Sequence, residues 1–150
     1  MQSKRDKFKK INIPLFFGLS HLGQVFSLCW SKKIGNCYVY DNNKKALSLF
    51  KEGKYTVEEP NLNKLNLNKI KFLKKFEDIK KFKYIFFTLD TPLNIKNGKP
   101  ELKKIYQNLE KILNFKFKEK TYLIISSQIN PEVINNLKEK IHISKNIKIF

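Results

Sequence analysis

The residues best suited to chemistry lie in Gly18–Gly23 (GLSHLG), directly after an apolar run. Gly18 permits a tight turn, and Gly23 permits close packing of a helix on a strand, as the first and third glycines of G-x-G-x-x-G do. Ser20 takes the middle position, where its hydroxyl can bond a phosphate oxygen while its Cβ narrows the approach. A helix N-terminus behind such a turn supplies backbone N–H donors and partial positive charge. The pattern predicts a phosphate-binding turn.

An acidic residue, Asp41, follows a short apolar run about twenty residues after the glycine turn. At the end of a second strand, a carboxylate can bond both ribose hydroxyls of an adenine dinucleotide. It also repels a 2′-phosphate, so this position favours NAD over NADP as the cofactor. Asp41 is equally compatible with a second role, as the N-cap of a helix beginning at Lys44.

The segment that carries the glycines can be interpreted in two ways. Ile11–Trp30 is mostly apolar and follows the basic residues 1–10, which is typical of an export signal or a membrane span. A spanning segment would place polar side chains in hydrocarbon, namely those of Asn12, His21 and Gln24. No cleavage pattern of small residues follows. We therefore predict a strand, a glycine turn and a helix here, with no membrane partner.

Apolar runs of strand length alternate with helical patterns along the rest of the chain. Strands are predicted at Ile11–Phe17, Cys37–Tyr40, Ile70–Leu73, Tyr84–Leu89, Tyr122–Ile125 and Ile147–Phe150. Helices are predicted at Leu22–Ser31, Lys44–Glu52, Glu101–Phe115 and Pro131–Ile141, with a helical turn over Glu77–Phe82. Such an order is typical of an α/β fold, a doubly wound parallel sheet with helices on both faces. The predicted core residues are Phe16, Phe17, Val39, Ile85, Phe87, Leu123 and Ile125.

Composition limits the classes of partner. The chain has 150 residues, 41% of them hydrophobic, which suits a single domain with a real core. Its net charge of +18 would suit a polyanion, but Arg5 is the only arginine, and the lysines are spread along the whole sequence. Specific nucleic-acid sites rely on arginine forks. We therefore predict no specific nucleic-acid partner.

The two cysteines, Cys29 and Cys37, have neither metal-ligand spacing nor a disulfide framework. Both fall in predicted packed elements, so we expect buried, reduced thiols. Reduced thiols are typical of the cytoplasm.

Four motifs in register resemble the N-terminal NAD-binding domain of the nucleotide-sugar 6-dehydrogenases, the UDP-glucose/GDP-mannose dehydrogenase family. They are Gly18–Gly23 (GLSHLG), Gly53–Leu62 (GKYTVEEPNL), Leu89–Leu102 (LDTPLNIKNGKPEL) and Ser126–Val133 (SSQINPEV). The resemblance implies a Rossmann-like fold and NAD as cofactor. It also implies a set of cofactor-binding residues: Gly18, Ser20, His21, Leu22, Gly23, Asp41, Thr91, Pro92 and Ser127. Thr91 is also compatible with a plain turn before a proline.

Family members oxidise a sugar C6 alcohol to a carboxylate through a catalytic cysteine in a later region, and neither Cys29 nor Cys37 matches that element. We therefore expect the NAD-binding portion of such an enzyme, a fragment inactive alone. A nucleotide-sugar substrate and oligomer contacts are expected only with the absent central and sugar-binding domains. The alternative is a degenerate module, without catalysis, that binds a protein or a polyanion. Ser20, Gln128 and Glu132 depart from the family pattern and favour that alternative.

Overall fold

Six short strands form one parallel sheet in the computed structural model, which describes residues 11–140 and 142–150. The strands are β1 Leu15–Phe17, β2 Cys37–Tyr40, β3 Ile70–Phe72, β4 Tyr84–Phe87, β5 Thr121–Ile125 and β6 Ile147–Ile149. Their spatial order is β3-β2-β1-β4-β5-β6, so the direction of winding reverses between β1 and β4. The predicted doubly wound α/β fold is confirmed.

Four α-helices connect these strands. They are α1 His21–Lys33, α2 Lys44–Lys51, α3 Lys103–Leu113 and α4 Glu132–Lys140. Two short 3₁₀ helices, Leu62–Lys64 and Phe76–Lys81, precede β3 and β4. Each predicted helix is present with slightly different ends. Ile141, the last residue of the predicted fourth helix, and the predicted basic extension 1–10 lie outside the described residues.

The predicted strand Ile11–Phe17 is correct only in its second half. Pro14 has no backbone N–H to donate, and regular pairing begins after it at Leu15. Ile11 forms a single bridge with Phe82 instead. A turn separates β1 from α1, so the segment is not one continuous helix. None of the helices in the described part of the chain is long and apolar enough to cross a membrane.

The core lies on both faces of the sheet. Leu15 and Phe17 point to one face and pack in a cluster with apolar residues of α3 and α4. Phe16 points to the other face, where α1 and α2 cover β1–β3. Full burial of such side chains stabilises the fold by about 1.5–3 kcal/mol each. Six of the seven predicted core residues are buried. The exception is Ile125, the last residue of β5, which is only half-buried.

The two cysteines differ in exposure. Cys37 is buried in β2, as predicted, and burial raises the pKa of its thiol to about 12. Cys29 is exposed, so the prediction of burial was wrong for it. The buried side of α1 is formed by Gly23, Gln24, Ser27, Leu28 and Ser31. Because Cys29 lies outside that helical stripe, it faces solvent.

Candidate functional site

The turn between β1 and α1 requires glycine at both predicted positions. Gly18 has φ +105°, which L side chains rarely adopt, and a Cβ there would lie 2.9 Å from the Leu89 nitrogen. A Cβ on Gly23 would lie 1.7 Å from the Gly18 carbonyl oxygen. The helix therefore packs against the turn through bare backbone. Both glycines have the structural roles that their spacing predicts.

Thr88, just after β4, fixes this turn from the neighbouring strand. Its buried hydroxyl oxygen lies 2.7 Å from the Gly18 carbonyl oxygen and 3.0 Å from that of Phe17, so it donates a bifurcated hydrogen bond. Thr88 is not among the predicted site residues. The sequence signal for its role was a β-branched residue with a hydroxyl group in the otherwise apolar run Tyr84–Leu89.

The Ser20 hydroxyl has two protein partners. Ser20 is the N-cap of α1, where its Oγ accepts from the Gly23 N–H at 3.5 Å. The same hydroxyl donates to the Thr88 carbonyl oxygen. The side chain therefore caps the helix and ties its start to β4.

The first turn of α1 presents free donors beside the glycine turn. For the backbone N–H groups of Ser20, His21 and Leu22, no acceptor is found within the described ranges. Such orphan N–H groups carry the partial positive charge of the helix N-terminus. They can donate hydrogen bonds to the oxygens of a phosphate without rearrangement of the chain.

Asp41 connects the glycine turn to Asn43, the residue that caps α2. Its Oδ2 accepts from the Leu19 N–H at 2.6 Å, and its Oδ1 accepts from the Asn43 N–H at 2.6 Å. The N-cap of α2 is Asn43, whose side chain accepts from Lys45 and Ala46. The alternative prediction of Asp41 as the N-cap was therefore wrong. Each carboxylate oxygen keeps a further lone pair for an external hydroxyl.

The buried side-chain amide of Gln24, also absent from the predicted site residues, connects the turn to the loop after α2. Gln24 is 2% exposed; its Nε2 donates to the Leu19 carbonyl at 2.9 Å and to Thr56 Oγ1 at 2.6 Å. Its Oε1 accepts from the Thr56 N–H at 3.0 Å. The signal for this role was a polar side chain on the otherwise packed stripe of α1.

The same loop contacts α1 at a second point. His21 Nε2 lies 2.6 Å from Glu59 Oε1, and both side chains are more than a third exposed. An exposed pair of this kind contributes at most about 1 kcal/mol. Further along, Asn61 has φ +64°. Asparagine tolerates this left-handed conformation better than most non-glycine residues do.

The remaining predicted site residues lie past the carboxyl ends of β4 and β5. Thr91 is half-buried, and its shielded Oγ1 has no hydrogen-bond partner in the part of the chain that the structure describes. The Pro92 carbonyl accepts from the Glu101 N–H at 2.7 Å, which closes the loop after β4. Ser127 Oγ lies 3.4 Å from the Phe87 carbonyl oxygen. These residues share one sheet edge with the glycine turn.

A glycine turn, a capped helix and an acidic residue at the switch point of a doubly wound sheet define a dinucleotide-binding domain of the Rossmann type. The sequence matches the NAD binding domain of the UDP-glucose/GDP-mannose dehydrogenase family over residues 11–149. The chain belongs to this family. The match confirms both the predicted family and NAD as its cofactor.

Solved structures of nucleotide-sugar dehydrogenases have a similar fold. GDP-mannose dehydrogenase from Pseudomonas aeruginosa matches with a TM-score of 0.75 at 20% identity, covering 91% of this chain and 34% of its own. UDP-glucose dehydrogenase from Pyrobaculum islandicum matches with a TM-score of 0.70 at 16% identity, covering 99% of this chain and 36% of its own. The chain thus spans about a third of their length. No curated protein matches it in sequence.

Proposed function

We propose that this chain forms the NAD(H)-binding part of a nucleotide-sugar 6-dehydrogenase and binds the dinucleotide at the edge formed by Gly18–Gly23, Asp41 and Thr91. The single observation that carries the proposal is the set of N–H donors at the start of α1 that have no acceptor among the described residues. They lie beside two glycines that leave no room for a Cβ, Gly18 against Leu89 and Gly23 against the Gly18 carbonyl. This donor set suits a pyrophosphate. The bound cofactor supplies a hydride acceptor.

The other residues have separate tasks in this proposal. Asp41 accepts the two hydroxyls of the adenosine ribose, and because it is held by the Leu19 N–H its carboxylate is already oriented. Thr91, whose hydroxyl has no partner among the described residues, and Ser127 contribute to the nicotinamide end. In this proposal His21 and Pro92 line opposite sides of the dinucleotide site. Catalysis on a sugar requires a cysteine and a sugar-binding region, which we assign to other parts of the enzyme. We place the enzyme in the cytoplasm.

Calorimetric titration with NADH tests the proposal. We expect weak binding by the wild-type chain, and loss of binding in Asp41→Ala because both ribose acceptors disappear. Glu110→Ala, which removes one exposed carboxylate on α3, is the matched control and should leave the affinity unchanged. NADPH should bind more weakly than NADH, since the 2′-phosphate would meet the Asp41 carboxylate.

Ser20→Gly separates the proposal from the degenerate-module alternative. Replacing an N-cap serine by glycine costs only a few tenths of a kcal/mol, so the helix persists. Removal of the Cβ opens the phosphate approach, and we expect affinity to rise by about tenfold, or 1.4 kcal/mol. If the wild-type chain gives no heat at millimolar NADH and Ser20→Gly does not restore binding, the module is degenerate and the proposal is wrong.

A further inference from the structure

A series of side-chain hydrogen bonds crosses the carboxyl edge of the sheet beside Asp41. The Tyr40 hydroxyl, at the end of β2, donates to Asn42 Oδ1 at 2.9 Å. Asn42 Nδ2 donates to Asn108 Oδ1 of α3 at 2.5 Å. Asn108 Nδ2 in turn donates to the Lys104 carbonyl oxygen at 2.7 Å. The series joins the loop that leads into α2 to a helix on the opposite face of the sheet.

The Lys104 carbonyl fixes the orientation of both amides. A backbone carbonyl can only accept, so Asn108 turns its Nδ2 to Lys104 and leaves its Oδ1 facing Asn42. Because that oxygen also only accepts, Asn42 presents its Nδ2 there and leaves its own Oδ1 for the Tyr40 hydroxyl. Reversing either amide would bring two acceptors together. The order of donors and acceptors along the series is therefore fixed.

Unused bonding capacity remains where the two amides meet. Among the described residues, Asn108 Oδ1 receives one donor and keeps a lone pair, while Asn42 Nδ2 has one acceptor and keeps a hydrogen. Asn42 is exposed and Asn108 is half-buried, so a ligand can reach the junction. One acceptor and one donor therefore lie side by side, next to the residue that takes the ribose in the proposed function.

The ribose determines where a bound base lies. A nucleotide ribose carries its phosphate on C5′ and its base on C1′, at opposite sides of the ring. Asp41 Oδ2 faces the Leu19 N–H in the glycine turn, which holds the pyrophosphate in the proposed function. Asp41 Oδ1 faces the Asn43 N–H on the other side. The base therefore extends away from the turn, towards Asn42 and α3.

We propose that the amides of Asn42 and Asn108 select a 6-aminopurine, as in NAD, over a 6-oxopurine. The assignment rests on the proposed function, because it requires the ribose at Asp41. The 6-amino group of adenine donates to Asn108 Oδ1, and the adjoining ring nitrogen accepts from Asn42 Nδ2. Asparagine reads adenine in DNA through the same donor and acceptor pattern. On hypoxanthine, the oxygen at position 6 would face the Asn108 oxygen, so two acceptors would meet.

Competition between NAD and nicotinamide hypoxanthine dinucleotide for bound NADH tests the proposal. The two competitors differ only in the group at position 6 of the purine, and neither fluoresces as NADH does. Loss of the emission of bound NADH therefore gives both affinities. We expect the wild-type chain to bind NAD about tenfold more tightly than the hypoxanthine analogue. Asn108→Ala and Asn42→Ala should each bring this ratio to within about twofold of one.

The ratio of affinities separates base selection from a structural link. Gln107→Ala, which changes the exposed neighbour of Asn108 on α3, is the matched control and should keep the ratio. A link that only held the loop would alter both affinities by the same factor. Equal affinities in the wild-type chain, or a ratio that survives both asparagine substitutions, would overturn the proposal and leave the proposed function intact. Absence of NADH binding in the wild-type chain and in Ser20→Gly would overturn both.

Discussion

Gly23→Ala is the most demanding test of how the site is built. An interior helix position normally gains about 1 kcal/mol when glycine becomes alanine. Here the new Cβ would lie 1.7 Å from the Gly18 carbonyl oxygen, whereas real Cβ contacts essentially never fall below 3.0 Å. Because the obstructing atom is backbone, no side chain can rotate away. The start of α1 must move from the turn by roughly 1.3 Å.

The free-energy change follows from three terms. Overpacking of this severity costs about 3 kcal/mol, the upper end of the usual range. The movement also strains the 2.7 Å hydrogen bond from Thr88 to Gly18, which contributes about 1 kcal/mol. The helix-propensity gain of about 1 kcal/mol opposes these terms. We expect the free energy of unfolding to fall by about 3 kcal/mol, or 6–12 °C in Tm for a domain of this size.

Urea unfolding, followed by Trp30 emission and by circular dichroism, measures this change. The control is Gly98→Ala, where a Cβ would meet nothing within 4 Å but φ is +65°. This variant measures the free-energy cost of placing a Cβ at a positive φ without a steric contact, which should be about 1–2 kcal/mol. A loss below about 1 kcal/mol for Gly23→Ala, or a loss no larger than that of Gly98→Ala, would refute the close-packing argument.

Four further outcomes are expected. Gln24→Ala should lower the free energy of unfolding by about 2–3 kcal/mol in urea titrations, since Thr56 and the Leu19 carbonyl lose their buried partner; a neutral effect would contradict this. Thr88→Val should cost about 1–2 kcal/mol in the same assay, while Thr88→Ser should recover most of it. Iodoacetamide at pH 8 should modify Cys29 in the native chain and Cys37 only in urea. Because burial raises the pKa of Cys37 from 9.0 to about 12, its contribution to stability is complete below pH 9 and is lost as pH rises towards 12, a decline that Cys37→Ala should reduce.

The strands were predictable because their signal is local. Runs such as Cys37–Tyr40 and Tyr84–Phe87 are continuously apolar or aromatic and end at polar residues, so length and composition located them. Strand ends were less certain, since they depend on pairing. Thr88 lies just beyond the end of β4, although its backbone N–H still donates to the Phe17 carbonyl. Its hydroxyl stands out in an apolar run, but the run does not indicate that its partner is Gly18, 70 positions away.

The site was only partly predictable for the same reason. The spacing of Gly18, Gly23 and Asp41 predicted the turn and the acidic partner. The positions of their partners depended on tertiary contacts. Asn43 rather than Asp41 caps α2, and both residue types are good caps, so only the contact between Asp41 and Leu19 decides between them. The amide of Gln24 reaches a loop that no local pattern places beside α1.

The Thr88 contact with Gly18 also bears on how the chain folds. The two residues are 70 positions apart, and β1 lies between β2 and β4 in the sheet. The chain loses the entropy of closing this long loop before the stabilising contacts can form, and this loss slows the folding of parallel sheets. During synthesis, the turn therefore acquires its final geometry only after β4 has emerged from the ribosome. Until then β1 has one free edge, exposed to wrong pairing.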